Sequence, residues 1–279
     1  MNHRTLRPSL HTVARGTAGL LLAVGASAHA FVIGVSEGVS YNVSDAQVSA
    51  RFEPIAEVLS KALKQPVTVK VLNSYNGARD ALKQQQVDFA FVHPSHVALA
   101  AIKSGQYSAF AWTTGYTDYK VSFLCKEQQP ISDWKSVAGK QLVMPDADSI
   151  TAVITRAMLR EQGLQGPTAV KVTNTRFQEA VPFYVQNGFA AYGATAASSV
   201  VKTWKDGGGK VCAESRAVPI KQWLASRKLD AATVSAAREA LLSLGQTDAG
   251  KRALAASSYV GFVAPSADVE ASLMSWLGI

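Results

Sequence analysis

Short β-branched runs alternate with amphipathic helical stretches along nearly the whole chain, in two successive series, and few folds accommodate that pattern. Residues 31–36 and 67–72 are strand-like, and Ile55, Val58, Leu59, Ala62 and Leu63 between them share one helical face. Ser44 and Gln47 carry the signature of a capping box that opens this helix. Pro54 kinks or restarts it. Helix 78–85, strand 87–92, helix 95–104 behind Pro94 and strand 108–113 complete the first series. The second opens with strands 121–126 and 140–144. A helix follows from the cap Ser149, with Ile150, Val153, Ile154, Ala157 and Met158 on one face and a stop at Gly163. Strand 169–173, helix 177–186, strand 189–192, helix 195–205 and strand 210–213 close the series. From Ile220 onward the pattern is helical, apart from the strand-like 259–263.

Two such series predict an α/β chain of two lobes, each with a mixed, mostly parallel sheet. The extended crossings near 114–120 and 213–219 would form a hinge. Lobe one is expected over 31–116 with a C-terminal return over 216–279, and lobe two over 117–215.

Residues 1–30 stand outside both lobes. Arg4, Arg7 and Arg15 precede a short apolar run over 17–26, and Ala28-His29-Ala30 has the form of a cleavage site. A membrane-spanning helix needs roughly 20 apolar residues, about twice that run. The segment therefore reads as a signal peptide, cleaved on export to the periplasm. Part of the formal charge of +8 belongs to it. The basic excess that remains favours solubility and attracts anions weakly. It contains no basic run with interleaved aromatics, which argues against nucleic acid as a partner. The two cysteines, Cys125 and Cys212, fall on expected strands. They form a disulfide if those strands are neighbours, and are buried thiols otherwise.

In open α/β sheets, ligands bind at the carboxyl ends of strands, where helix N-termini present unsatisfied N–H groups. That rule selects Tyr41, Tyr75, His93, Ser95 and His96 in lobe one. In lobe two it selects Ser149, Thr151, Thr175, Arg176 and Gln178. These hydroxyl, amide and imidazole groups suit a small polar ligand, and Arg176 is the one cation among them. His93 and His96 are the two histidines after residue 30. They serve as ligand donors, as helix caps, or as two ligands of a metal that needs more. The expected set includes no metal and no cofactor. Asp146 and Asp148 would repel an anion if they faced inward; they bind a ligand amine or face water.

Three catalytic signatures are set aside. Gly34-Val35-Ser36-Glu37-Gly38 has the spacing of a nucleophile elbow, but no strand precedes it to supply an oxyanion loop. Gly207-Gly208-Gly209-Lys210 lacks the spacing and hydroxyl of a phosphate loop. Ser132 and Lys135 stand at a short helix start with no partner motif.

Four stretches carry a resemblance. They are Phe52-Glu53-Pro54-Ile55-Ala56-Glu57-Val58-Leu59-Ser60, then Val87-Asp88-Phe89-Ala90-Phe91-Val92-His93-Pro94, then Asp133-Trp134-Lys135-Ser136-Val137-Ala138-Gly139-Lys140. The fourth is Thr247-Asp248-Ala249-Gly250-Lys251 followed by Gly261-Phe262-Val263. In this order they resemble the periplasmic phosphonate, phosphite and phosphate-binding family of ABC transporters. The resemblance implies a type II periplasmic binding protein fold that closes on an oxyanion, without catalysis, with Ser149 as one of the family's lobe-two serines. His93 stands where the family has glycine, as does Ile150. Gln178 replaces a typical ligand-binding histidine, and Ala190 an acidic residue. The implied function is capture of a small oxyanion by a monomer that delivers it to an ABC permease. The alternative is a periplasmic sensor that presents an oxyanion, for example arsenite-like, to a membrane sensor kinase.

Overall fold

The computed structural model describes residues 1, 30–37, 43–126, 130–165 and 170–279. Tyr41, most of the leader and Ala169 lie outside the described residues. In chain order the elements of the first lobe are β1 (Phe31–Glu37), α1 (Asp45–Leu63), β2 (Val67–Val71), α2 (Tyr75–Lys83), β3 (Phe89–His93), α3 (Ser95–Lys103) and β4 (Tyr107–Thr113). The second lobe contains β5 (Ser122–Cys125), β6 (Gln141–Met144), α4 (Ile150–Glu161), β7 (Lys171–Asn174), α5 (Val181–Gln186), β8 (Tyr192–Thr195), α6 (Ser198–Asp206) and β9 (Lys210–Glu214). The chain then returns through β10 (Gln222–Ser226), α7 (Ala231–Leu242), α8 (Asp248–Ser257), β11 (Phe262–Val263) and α9 (Ala267–Leu277).

Two sheets result, with strand orders β11-β4-β10-β3-β1-β2 and β7-β6-β8-β5-β9. Both are mixed, but parallel pairing does not dominate either. In the first, β1 pairs parallel with β2 and β3, while β10 runs antiparallel to β3 and β4 and β11 antiparallel to β4. In the second, β6 is parallel to β7 and β8, and β5 is antiparallel to β8 and β9. Chain direction explains this. The chain leaves lobe one along β4 and comes back along β10 beside it, and it enters lobe two along β5 and leaves along β9. The crossings themselves pair: Val218 N–H donates to Tyr119 O at 2.9 Å and Ile220 N–H to Tyr116 O at 3.0 Å.

The largest departure from the sequence pattern is β10. Gln222-Trp223-Leu224-Ala225-Ser226 reads as helix, yet it is buried throughout at the middle of the first sheet. A strand covered on both faces shows no polar alternation to reveal it. Trp223 packs edge-on to Phe91, with ring centroids 5.3 Å apart, and Phe52 lies 5.0 Å from Phe91. These rings knit α1 to the sheet, and each fully buried aromatic of this kind contributes about 1.5–3 kcal/mol. The opposite face is covered by α2 and α3 through Ala78, Leu82, Val97 and Ala98. Strand β8 also begins later than its pattern suggests. The amides of Phe189 and Ala190 donate to Tyr184 O and so finish α5.

The C-terminal helix does not stay with lobe one. Leu273 and Leu277 of α9 sit in the lobe-two cluster with Ile154 and Met158, and Lys103 of α3 donates to the Ile279 carbonyl at 2.5 Å. Cys125 and Cys212 lie on the adjacent strands β5 and β9, both buried in that same cluster. No helix among the described residues is long and apolar enough to cross a membrane.

Candidate functional site

Two helices aim their N-termini into the cleft between the lobes. Ser74 and Ser149 are both extended N-cap residues. Each accepts at its side chain from the third amide of its helix, Gly77 N–H at 3.0 Å and Ala152 N–H at 3.2 Å. The caps leave the remaining first-turn N–H groups without intrahelical partners, and the helix dipole adds partial positive charge there. The cleft they face has a volume of about 650 Å³. Ser74, Tyr75, Asn76 and His93 line it from lobe one, and Asp148, Ser149, Ile150, Thr151, Arg176 and Gln178 from lobe two. A second concavity of about 800 Å³ adjoins it, bounded by the crossings and α6 and sharing Tyr119 and Gln178. We place the site in the first because opposed helix N-termini from both lobes meet there.

Most of the positionally selected residues come together, but several have work other than facing a ligand. Tyr75, His93, Ser149, Thr151, Arg176 and Gln178 reach the cleft wall. Thr151 Oγ1 lies 2.7 Å from the Tyr119 hydroxyl, which links the first turn of α4 to the crossing. Gln178 Oε1 accepts from the amides of Ala196 and Ala197, at 2.7 and 3.1 Å, and from Thr195 Oγ1 at 3.0 Å. Its carbonyl is therefore committed to the segment that leads into α6. Thr175 does not line the cleft; its hydroxyl donates to Phe177 O at 2.8 Å. Ser95 and His96 are buried behind the wall at the start of α3.

Both imidazoles are held neutral. Burial pushes His93 down to about 4 even though its Nδ1 lies 3.0 Å from Ile220 O. Burial likewise takes His96 to about 4, against the opposing pull of Asp148. Among the described residues, no three His, Cys, Asp or Glu side chains gather to hold a metal ion.

Of the carboxylates that line the cleft, Glu37, Asp146, Asp148 and Glu179, two are paired with arginines, Glu37 with Arg51 and Asp148 with Arg79. Glu37, at the cleft wall, pairs with Arg51 at 2.7 Å and accepts from the Tyr259 hydroxyl. Lys221 Nζ lies 3.9 Å from the same carboxylate and 4.3 Å from the Tyr116 ring centroid. Asp148, partly exposed, is gripped bidentately by Arg79. Arg79 is absent from the positional set because it stands within α2, beyond the strand-end loop. A helical side chain leans back toward its own N-terminus, so the fifth residue of α2 reaches the cleft edge. Glu37 was legible by the strand-end rule itself, as the last residue of β1.

Two α/β lobes joined by paired crossings, with a polar cleft between opposed helix N-termini, have the architecture of a solute-binding protein. The chain belongs to the family described as the periplasmic phosphonate substrate-binding protein of ABC transporters, whose model matches residues 38–269. This is a solute-binding family and not an enzyme family. The structure is similar to XAC2383 from Xanthomonas citri bound to ATP, with TM-score 0.71, 14% identity and coverage of 89% of this chain and 96% of that one. It is similar to PhnD1 from Prochlorococcus marinus in complex with methylphosphonate, with TM-score 0.64, 14% identity and coverage of 88% and 96%. The binding component of an ABC phosphonate transporter from Pseudomonas aeruginosa matches with TM-score 0.57, 17% identity and coverage of 88% and 85%. No curated protein matches the chain in sequence.

Proposed function

We propose that the exported protein captures a small oxyanion of the phosphonate, phosphite or phosphate type in the interlobe cleft and delivers it to an ABC permease. The observation that carries this reading is the opposition of the α2 and α4 N-termini across one cleft. Each presents amide N–H groups and positive dipole ends to the same small volume. Arg176 at the wall adds a cation able to form charge-assisted hydrogen bonds. Tyr75, His93, Ser149 and Thr151 complete the ligand shell as neutral hydrogen-bonding groups, while Gln178 organises it. The leader over 1–30 directs export and is removed after Ala30, so that the mature chain begins at Phe31 and acts as a monomer.

A thermal-shift screen of methylphosphonate, phosphite and phosphate tests this reading. A ligand at about 100 times its Kd stabilises the folded state by about 2.7 kcal/mol. A raised midpoint with one of these anions supports the proposal. A shift only with cations or neutral solutes would refute it.

A further inference from the structure

The lobes are tied at the cleft edge by a contact between side chains of the protein itself. Arg79 on α2 donates from Nη1 to Asp148 Oδ2 at 2.7 Å and pairs through Nη2 with Oδ1. Asp148 belongs to the loop before α4, so the bond joins lobe one to lobe two. Both ends are held in place. Asn76 Oδ1 accepts from Arg79 Nη1 at 3.2 Å, and Asp148 N–H donates to Asp146 Oδ1 at 2.8 Å. The His96 ring, edge-on to Tyr75 at 6.4 Å, sets its Nε2 3.4 Å from Asp148 Oδ1 and 3.3 Å from Arg79 Nη2. The Arg79 bond also holds the Asp148 carboxyl below its usual range.

We infer that Arg79 and Asp148 form a latch that favours the closed cleft before any ligand arrives. The lobes are joined by the paired crossings, by the packing of α3 against α4 and α9, and at the cleft edge by this bidentate pair. Hinge rotation that separates α2 from α4 breaks the bidentate pair and leaves the crossings intact. The pair is partly exposed, with side-chain exposures of 37% and 41%. Exposed pairs are weak as a class, and two-point geometry is the circumstance in which they matter. The latch is accordingly a bias of a few fold in the open–closed ratio rather than a lock. A solute that binds the closed form then meets more of it ready-made, and its apparent affinity rises by at most the same factor. This inference holds whatever the solute is, so it stands or falls separately from the oxyanion assignment.

The test uses the exported protein without ligand. Small-angle scattering gives the radius of gyration, and hydrogen exchange reports the first-turn amides of α4. Asp148→Asn and Arg79→Gln should each increase the radius of gyration and speed exchange at Ile150 and Thr151 by a few fold. The exchanged pair, Arg79→Asp with Asp148→Arg, should return both readouts toward wild type. Circular dichroism checks that each variant is folded. Unchanged scattering and exchange in both single variants overturns the inference. Opening in the single variants with no recovery in the exchanged pair also overturns it, since local packing rather than the ion pair would then be the cause. If one single variant does not fold, the other and the exchanged pair decide by the same criteria.

Discussion

Gln178 Oε1 accepts the Ala196 amide at 2.7 Å, so this side chain is a tether between the turn after β7 and the approach to α6. The same oxygen takes the Ala197 amide and the Thr195 hydroxyl. Removing it leaves donors without a partner in a half-buried place. Gln178→Ala should therefore destabilise the protein by about 1–3 kcal/mol. Urea denaturation of the variant checks the value. Wild-type stability would mean that water replaces the side chain without cost.

The buried imidazoles predict how stability depends on pH. His93 and His96 titrate at about 4 in the folded chain, because burial disfavours the imidazolium. In the unfolded chain a histidine titrates near 6.5. Between these values the unfolded chain binds more protons, so stability is fully present above about 6.5 and is lost as pH falls toward 4. At pH 5 the loss should be on the order of 1–2 kcal/mol per imidazole. His96→Gln should flatten the profile in urea titrations at pH 7 and pH 5. Equal slopes in wild type and variant would contradict the burial account.

Cys125 and Cys212 occupy adjacent strands within one buried cluster. An oxidising compartment permits them to bridge, which would join the strand that enters lobe two to the strand that leaves it. Freshly exported protein, denatured without reductant, should show no reactive thiols. Two titratable thiols per chain would rule the bridge out.

Local signals were the most legible part of the fold. The Ser44–Gln47 capping box forms as its spacing requires, with Ser44 N–H donating to Gln47 Oε1 at 2.9 Å. Ser149 caps α4, and the strand-end rule brings Tyr75, His93, Ser149, Thr151, Arg176 and Gln178 to one cleft. What sequence could not reveal was set by tertiary burial and long-range pairing. β10 lacks alternation because both of its faces are covered. The α9 residues Leu273 and Leu277 carry an ordinary apolar stripe that does not say which lobe it will cover. Arg79 lies away from any strand end, and only the approach of Asp148 from the other lobe gives it a part. Thr175 sits correctly after β7, but its hydroxyl turns to its own backbone two residues on, a habit of threonine in turns.

Capture of an anion between the lobes is the central claim, and calorimetry on the mature protein tests it most directly. Methylphosphonate, phosphite and phosphate should be titrated into wild type, Arg176→Ala and Ser149→Gly. At least one anion should bind wild type. Arg176→Ala should weaken that binding by about tenfold or more, as expected for loss of a charge-assisted bond of about 1.5–3 kcal/mol. Ser149→Gly should lower affinity through disorder of the first turn of α4, at a stability cost of only a few tenths of a kcal/mol. Failure of all three anions to bind, or affinity unchanged in both folded variants, would contradict the account.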